Sequence, residues 1–105
     1  MKNGLSKRDY ETIKGILEKY PEITLVNLFG SRATGTFHAG SDIDLAIMNK
    51  GVTDEIIQRI LSDFEESTLP YFVDIINYYT IEHKPFREHI DRVGQLFYQK
   101  KMVNK

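Results

Sequence analysis

FGSRATGTFHAGSDIDLAI, residues 29–47, sets a Gly-Ser turn, ten loosely patterned residues and two aspartates one residue apart at the mouth of an apolar run. Asp42 and Asp44 alternate with Ile43, Leu45 and Ile47. In a strand, the two carboxylates therefore share one face and the aliphatic side chains the other. At ~3.3 Å of rise per residue their Cβ atoms lie roughly 6.5–7 Å apart. Like charges that close beside a core disfavour each other's ionisation unless a cation compensates or water reaches them at the sheet's rim. A divalent ion such as Mg²⁺, which one or two protein carboxylates commonly seat together with waters and phosphate oxygens, resolves the conflict. On these two residues alone the other reading, a turn followed by a solvated strand edge, stays open.

Upstream, EITLVNLF (residues 22–29) is rich in β-branched and large apolar residues and is cut off by Gly30, as a mostly buried strand would be. Residues 30–41 hold three glycines and no core periodicity, which marks a loop with a short helical turn opening at Ser31. Gly30 lets the backbone bend close to a ligand, and Ser31 offers a hydroxyl and an N–H suited to phosphate oxygens. Downstream, YFVDIINYY (residues 71–79) repeats the pattern of an apolar run with one aspartate, Asp74, set into it. If that strand lies ~4.8 Å from the one bearing Asp42 and Asp44, the third carboxylate reaches the same rim. Three carboxylates can hold two ions ~3.5–4 Å apart, one at the leaving phosphate and one at an attacking hydroxyl. Asp74 is then the candidate general base or second-metal ligand.

The remaining elements follow from caps and periodicity. Ser6 and Asp9 form a capping box ahead of Ile13, Ile16, Leu17 and Tyr20, and Pro21 ends that helix. Thr53 opens a second helix whose apolar face includes Ile56, Ile57, Ile60, Leu61 and Phe64, ending near Ser67. The spacing of Phe86, Ile90, Val93 and Phe97 predicts a last helix from about Lys84 to Gln99, which leaves Leu96 and Tyr98 off the stripe to meet a partner. KKMVNK, residues 100–105, reads as a frayed tail. Helices and strands thus alternate around one sheet, an α/β (α+β) arrangement in the order α-β-(short α)-β-α-β-α, and 105 residues are expected to form one domain, 1–105.

Composition narrows the function. Fourteen basic against fifteen acidic residues give a formal net charge of -1, which argues against a diffuse binder of nucleic acid. The absence of cysteine excludes disulfides, thiolate metal sites and a cysteine nucleophile. No apolar stretch reaches the ~18–20 residues of a membrane span, and the N-terminal residues lack the apolar centre of a signal peptide, so a cytoplasmic protein with no membrane partner is expected. His38 lies in the loop, as a nucleotide contact or a plain surface group. His83 and His89 have no zinc-like spacing to carboxylates. The aromatic pair in NYYT, residues 77–80, reads as packing for the following helix more readily than as an adenine stack.

GSRATG followed by SDIDLAI, with Asp74 on a later strand, resembles the signature of the minimal nucleotidyltransferases of the DNA polymerase β superfamily, over nearly the whole chain. The resemblance implies a small mixed β-sheet flanked by helices and a nucleoside triphosphate, usually ATP, as donor. It implies Mg²⁺, with Mn²⁺ as the alternative, held by the catalytic Asp42, Asp44 and Asp74. It further implies substrate contacts at Gly30, Ser31, Arg32 and Ser41. Small members of that family act with a helical partner of the HEPN type as a hetero-oligomer, several of them as antitoxins that add AMP to a HEPN ribonuclease. Many relatives carry a second arginine where this chain has Thr34, so Arg32 alone is left, as a phosphate contact or as a solvated loop charge. The implied activity is transfer of a nucleoside monophosphate to a hydroxyl of the partner. The alternative is a non-catalytic nucleotide-binding module that inhibits a helical partner by occlusion.

Overall fold

Ser6 opens the first helix through a reciprocal pair of hydrogen bonds. Asp9 N–H donates to Ser6 Oγ at 3.0 Å, and Ser6 N–H donates to Asp9 Oδ2 at 3.1 Å. The computed structural model describes residues 2–101. In it this helix, α1, covers Lys7–Glu18 and buries Ile13 and Leu17. There follow β1 (Leu25–Phe29), the single turn α2 (Ser31–Thr34), β2 (Ile43–Ile47), α3 (Asp54–Glu66), β3 (Val73–Asn77), a 3₁₀ turn at Tyr78–Thr80, α4 (Lys84–Val93) and β4 (Gln95–Gln99). Thr53 caps α3 by accepting from Ile56 N–H at 3.3 Å, as its residue type favours.

The sheet has the order β3-β2-β1-β4, with β2 and β3 parallel and the other pairs antiparallel. It is the small mixed sheet that the resemblance implied. Its two faces differ because side chains alternate along each strand. Ile43, Leu45 and Ile47 join Val26 and Leu28 in a core shared with Ile13 and Leu17 of α1 and Ile57, Ile60 and Phe64 of α3. The opposite face carries Phe29 and Ala46, which pack against Ile90 of α4. Asp44 lies on that second face, beyond the part closed by α4. The aliphatic face of β2 is wholly buried, so the strand has one admissible register, and that register turns Asp44 to the opposite face.

The last element departs from the sequence reading. α4 starts at Lys84 as predicted but stops at Val93, and Gln95–Gln99 pair with β1 instead of continuing the helix. Gly94 makes the switch: its N–H closes on Ile90 O at 2.8 Å, while a Cβ there would stand 2.6 Å from that same carbonyl. The chain then leaves in extended conformation and satisfies the edge of β1, whose backbone groups would otherwise lack partners. A bulge between Val26 and Asn27 shifts the register. Consecutive Phe97 and Tyr98 thereby both enter the α1 side of the core, which neither a helical nor a strictly alternating pattern foretells. Tyr98, expected to face a partner, is only 5% exposed, whereas Leu96 is 63% exposed. Lys100 N–H still donates to Thr24 O at 2.9 Å, so the predicted frayed tail does not begin there; its residues 102–105 lie outside the described ones.

No helix among the described residues is long and apolar enough to cross a membrane. Phe97 meets Tyr10 of α1 edge to face at 5.2 Å. Truncation by Phe97→Ala is expected to lower unfolding stability by about 3–5 kcal/mol, as loss of a buried aromatic does. Urea denaturation checks this value, and a loss below ~1 kcal/mol would place Phe97 on a frayed end rather than in the core.

Candidate active site

The site begins where β1 ends. Phe29 is register partner to Asp44, and the next residue, Gly30, turns off the strand at φ 72 and ψ -157, a backbone state essentially restricted to glycine. A Cβ at position 30 would overlap Asp44 Oδ2. The glycine thus lets the backbone pass directly over the carboxylate. α2 starts at once, Ala33 and Thr34 N–H both closing on Gly30 O at 3.1 Å. This first turn leaves the N–H groups of Ser31 and Arg32 without intrahelical partners, as at any helix start. Gly35, at φ 84, ends the turn.

A second turn then leads into β2. Ser41 N–H donates to His38 O at 3.0 Å, and His38 N–H donates to Ser41 Oγ at 2.9 Å. Ser31, His38, Gly40, Ser41, Asp42 and Asp44 together line a cleft of about 410 Å³, within the size range of small-molecule sites. A larger groove of about 550 Å³ opens beside the C-terminal end of α3, but Glu65 is the only carboxylate among its mostly apolar walls. It offers little to a triphosphate.

Asp44 sits at the centre of the acidic set. Burial pushes its carboxyl above the usual carboxylate range, and the charges of Asp74 and Asp42 push it further in the same direction. Asp74 is its register partner on β3, so the parallel pairing brings the third carboxylate alongside as expected. Asp74 is exposed and does not line the cleft itself. Among the described residues no three acidic or histidine side chains converge as a ready-made chelating cage. Nor is any of the three aspartates engaged there in an ion pair. Asp42 and Asp44 are thus two uncompensated carboxylates in one cleft, one of them half-buried, and one or two carboxylates are what commonly seats a hard divalent cation whose other ligands are waters and phosphate oxygens.

Four of the predicted substrate contacts are thereby located. Ser31 and Ser41 stand in the cleft wall and Gly30 packs against Asp44 behind it without lining it, whereas Arg32 does not present its charge to the cleft. Its side chain is 3% exposed and donates to the Ser41 and Asn3 carbonyls, so it is neither a solvated loop charge nor a free phosphate ligand. His38, left undecided by the sequence, is part of the wall. Its sequence signal was only its place in the loop. The tyrosines of NYYT lie beyond the other end of β3: Tyr78 donates to Asp91 Oδ1 at 2.7 Å and Tyr79 is half exposed.

Residues 11–102 match the family model described as polymerase beta, nucleotidyltransferase, and the chain belongs to that family of nucleotidyltransferases. Over 97 residues, 91% of this chain and 84% of the relative, it is 32% identical to the probable protein adenylyltransferase MntA of Haemophilus influenzae. Among solved structures, that of a toxin-antitoxin with AMP-PNP superposes with a TM-score of 0.70 at 21% identity, covering 88% of this chain and 74% of that one. A tri-AMPylated Shewanella oneidensis HEPN toxin in complex with its MNT antitoxin gives a TM-score of 0.60 at 19% identity, over 95% of this chain and 74% of that one.

Two expectations follow from the Gly30–Asp44 approach. Because the folded state raises the Asp44 pKa, this group's contribution to stability is fully present below the ordinary carboxylate value and is lost as pH rises through the folded value. Asp44→Asn should therefore stabilise the ligand-free protein at pH 7, with the gain vanishing in acid; thermal melts across pH check it, and a variant less stable at pH 7 would contradict it. Gly30→Ala should cost about 1–3 kcal/mol through the forced backbone state, measurable by urea denaturation.

Proposed function

We propose that this chain transfers AMP from ATP to a hydroxyl of a helical HEPN-type partner protein, as the antitoxin of a toxin-antitoxin pair. The observation that carries the reading is the seating of the Gly30–Ser31 turn directly on Asp44, with Ser31, Asp42 and Asp44 lining one cleft, which supports a phosphate cradle and a metal seat side by side. Family membership and the relatives described as protein adenylyltransferases support it, and so does the likeness to antitoxins solved with HEPN toxins.

Asp42 and Asp44 would hold Mg²⁺, with Mn²⁺ as the alternative, and when bound the ion would supply neutralisation of triphosphate charge and a lower pKa for an attacking hydroxyl; Asp74, expected from sequence as a third ligand, stands outside the cleft and is left for the proton. The chain's own groups do the positioning. Ser31, with its hydroxyl and the free N–H groups of the turn, receives phosphate oxygens as hydrogen-bond donors fixed before the reaction. Gly30 keeps that cradle against the carboxylates, because any side chain there would push the two apart. In the transfer, the acceptor oxygen bonds to the α-phosphorus, the bond to the β-phosphate oxygen breaks, and pyrophosphate leaves. Asp74, exposed at the rim on the strand next to Asp44, takes the hydroxyl proton. Consumption of ATP is consistent with work in the cytoplasm.

The test is mass spectrometry of the HEPN partner after incubation with this chain, ATP and Mg²⁺. The expected result is a gain of one or more AMP units, reduced roughly 10²- to 10³-fold by Asp42→Asn or Asp44→Asn. An unchanged partner mass, with both variants still neutralising the partner at equal stoichiometry, would replace transfer by occlusion.

A further inference from the structure

We infer that Arg32 is a positioning residue that fixes the backbone carrying Asp42, rather than a ligand of the nucleotide. The inference rests on the nucleotidyl-transfer reading for its kinetic consequence, while its structural content stands apart from it.

The guanidinium is nearly sealed from water, and it makes no ion pair among the described residues. Burying an unpaired charge is costly, and an aliphatic side chain would fill the same space without that penalty, so packing alone does not account for arginine here. What the guanidinium provides is directional. Nε at 3.2 Å and Nη2 at 2.8 Å both donate to one oxygen, the Ser41 carbonyl, and Nη1 donates to Asn3 O at 3.0 Å. The planar fork fixes both distance and orientation of its acceptor, which an ammonium cannot do.

The gripped carbonyl is the decisive choice. The Ser41 C=O and the Asp42 N–H belong to one rigid peptide plane. Holding that oxygen therefore sets the orientation in which Asp42 leaves the turn and enters the cleft. The rest of the surroundings keep the charge in place without using a carboxylate. The Phe37 ring lies 5.4 Å and the Tyr71 ring 4.6 Å from the guanidinium carbon, faces that attract a desolvated cation. Gly4 closes the lid: a Cβ there would meet Nη1 at 2.9 Å and strike the Phe37 ring. An acidic partner would have served the charge better but would have competed with Ser41 for the fork.

The test compares wild type with Arg32→Met, which retains bulk without donors, and Arg32→Lys, which retains charge without the fork. Two quantities are read: amide hydrogen exchange at Ser41 and Ile43, and kcat and KM for ATP in AMP transfer to the HEPN partner. Arg32→Met is expected to unfold cooperatively, to exchange those two amides about tenfold faster or more, and to lose kcat by up to ~10²-fold with KM for ATP within about twofold of wild type. Arg32→Lys should fall between. A raised KM with unchanged kcat would instead make Arg32 a nucleotide ligand, and wild-type exchange with wild-type kcat would make it packing; either overturns the inference. Should Arg32→Met fail to fold, Arg32→Lys decides by the same readings. If wild type transfers no AMP, the proposed function fails, and the exchange rates alone judge the clamp.

Discussion

A carboxylate at position 44 and a backbone without a side chain at position 30 occupy adjoining space, and the rest of the site is arranged around that contact. It follows from the sheet: Phe29 and Asp44 are register partners at the end of an antiparallel pair, so the residue that leaves β1 has to cross the partner strand's outward side chain. Only a glycine in a left-handed conformation passes there. Crossing so closely, the chain delivers the first turn of α2 onto the acidic face, with its unpaired N–H groups beside the aspartates.

The same contact explains why the core and the site demand opposite things from one strand. Ile43, Leu45 and Ile47 are buried without remainder between the sheet and its two covering helices, and this aliphatic face fixes β2 in its register. The interleaved aspartates then have no freedom to slip away from each other or from Asp74 across the parallel pairing. The cost falls on Asp44, whose ionisation is opposed by burial and by both neighbouring charges. Destabilisation held at one point by a rigid core is characteristic of sites built for a charged ligand, and it makes the ligand-free protein less stable than its core alone would allow.

Much of this was readable in the chain itself, because it depended on local rules. The alternation in DIDLAI, the Gly-Ser turn and the Ser6 and Thr53 caps involve residues within a few positions of one another, and the structure places each as those rules require. Two features resisted reading, for different reasons. The segment after Gly94 shows helical spacing from Phe86 to Phe97, and only the unpaired edge of β1, a tertiary requirement, turns it into a strand with a bulge. The place of Arg32 depends on Asn3, Phe37, Ser41 and Tyr71, four residues scattered over most of the chain. No local pattern distinguishes a buried guanidinium from a solvated one. His38 belongs with this second kind: a lone histidine in a loop acquires a site only once the loop closes.

The central claim is that the acidic face and the Gly-Ser turn form one cleft for a metal-bound triphosphate. It is tested most directly by crystals grown with Mn²⁺ and a non-hydrolysable ATP analogue, in which anomalous scattering locates the metal independently of any activity. The account predicts a peak bounded by the carboxylates of residues 42 and 44, with the triphosphate resting against Ser31. A peak elsewhere on the molecule, or an analogue bound away from these residues, would contradict it.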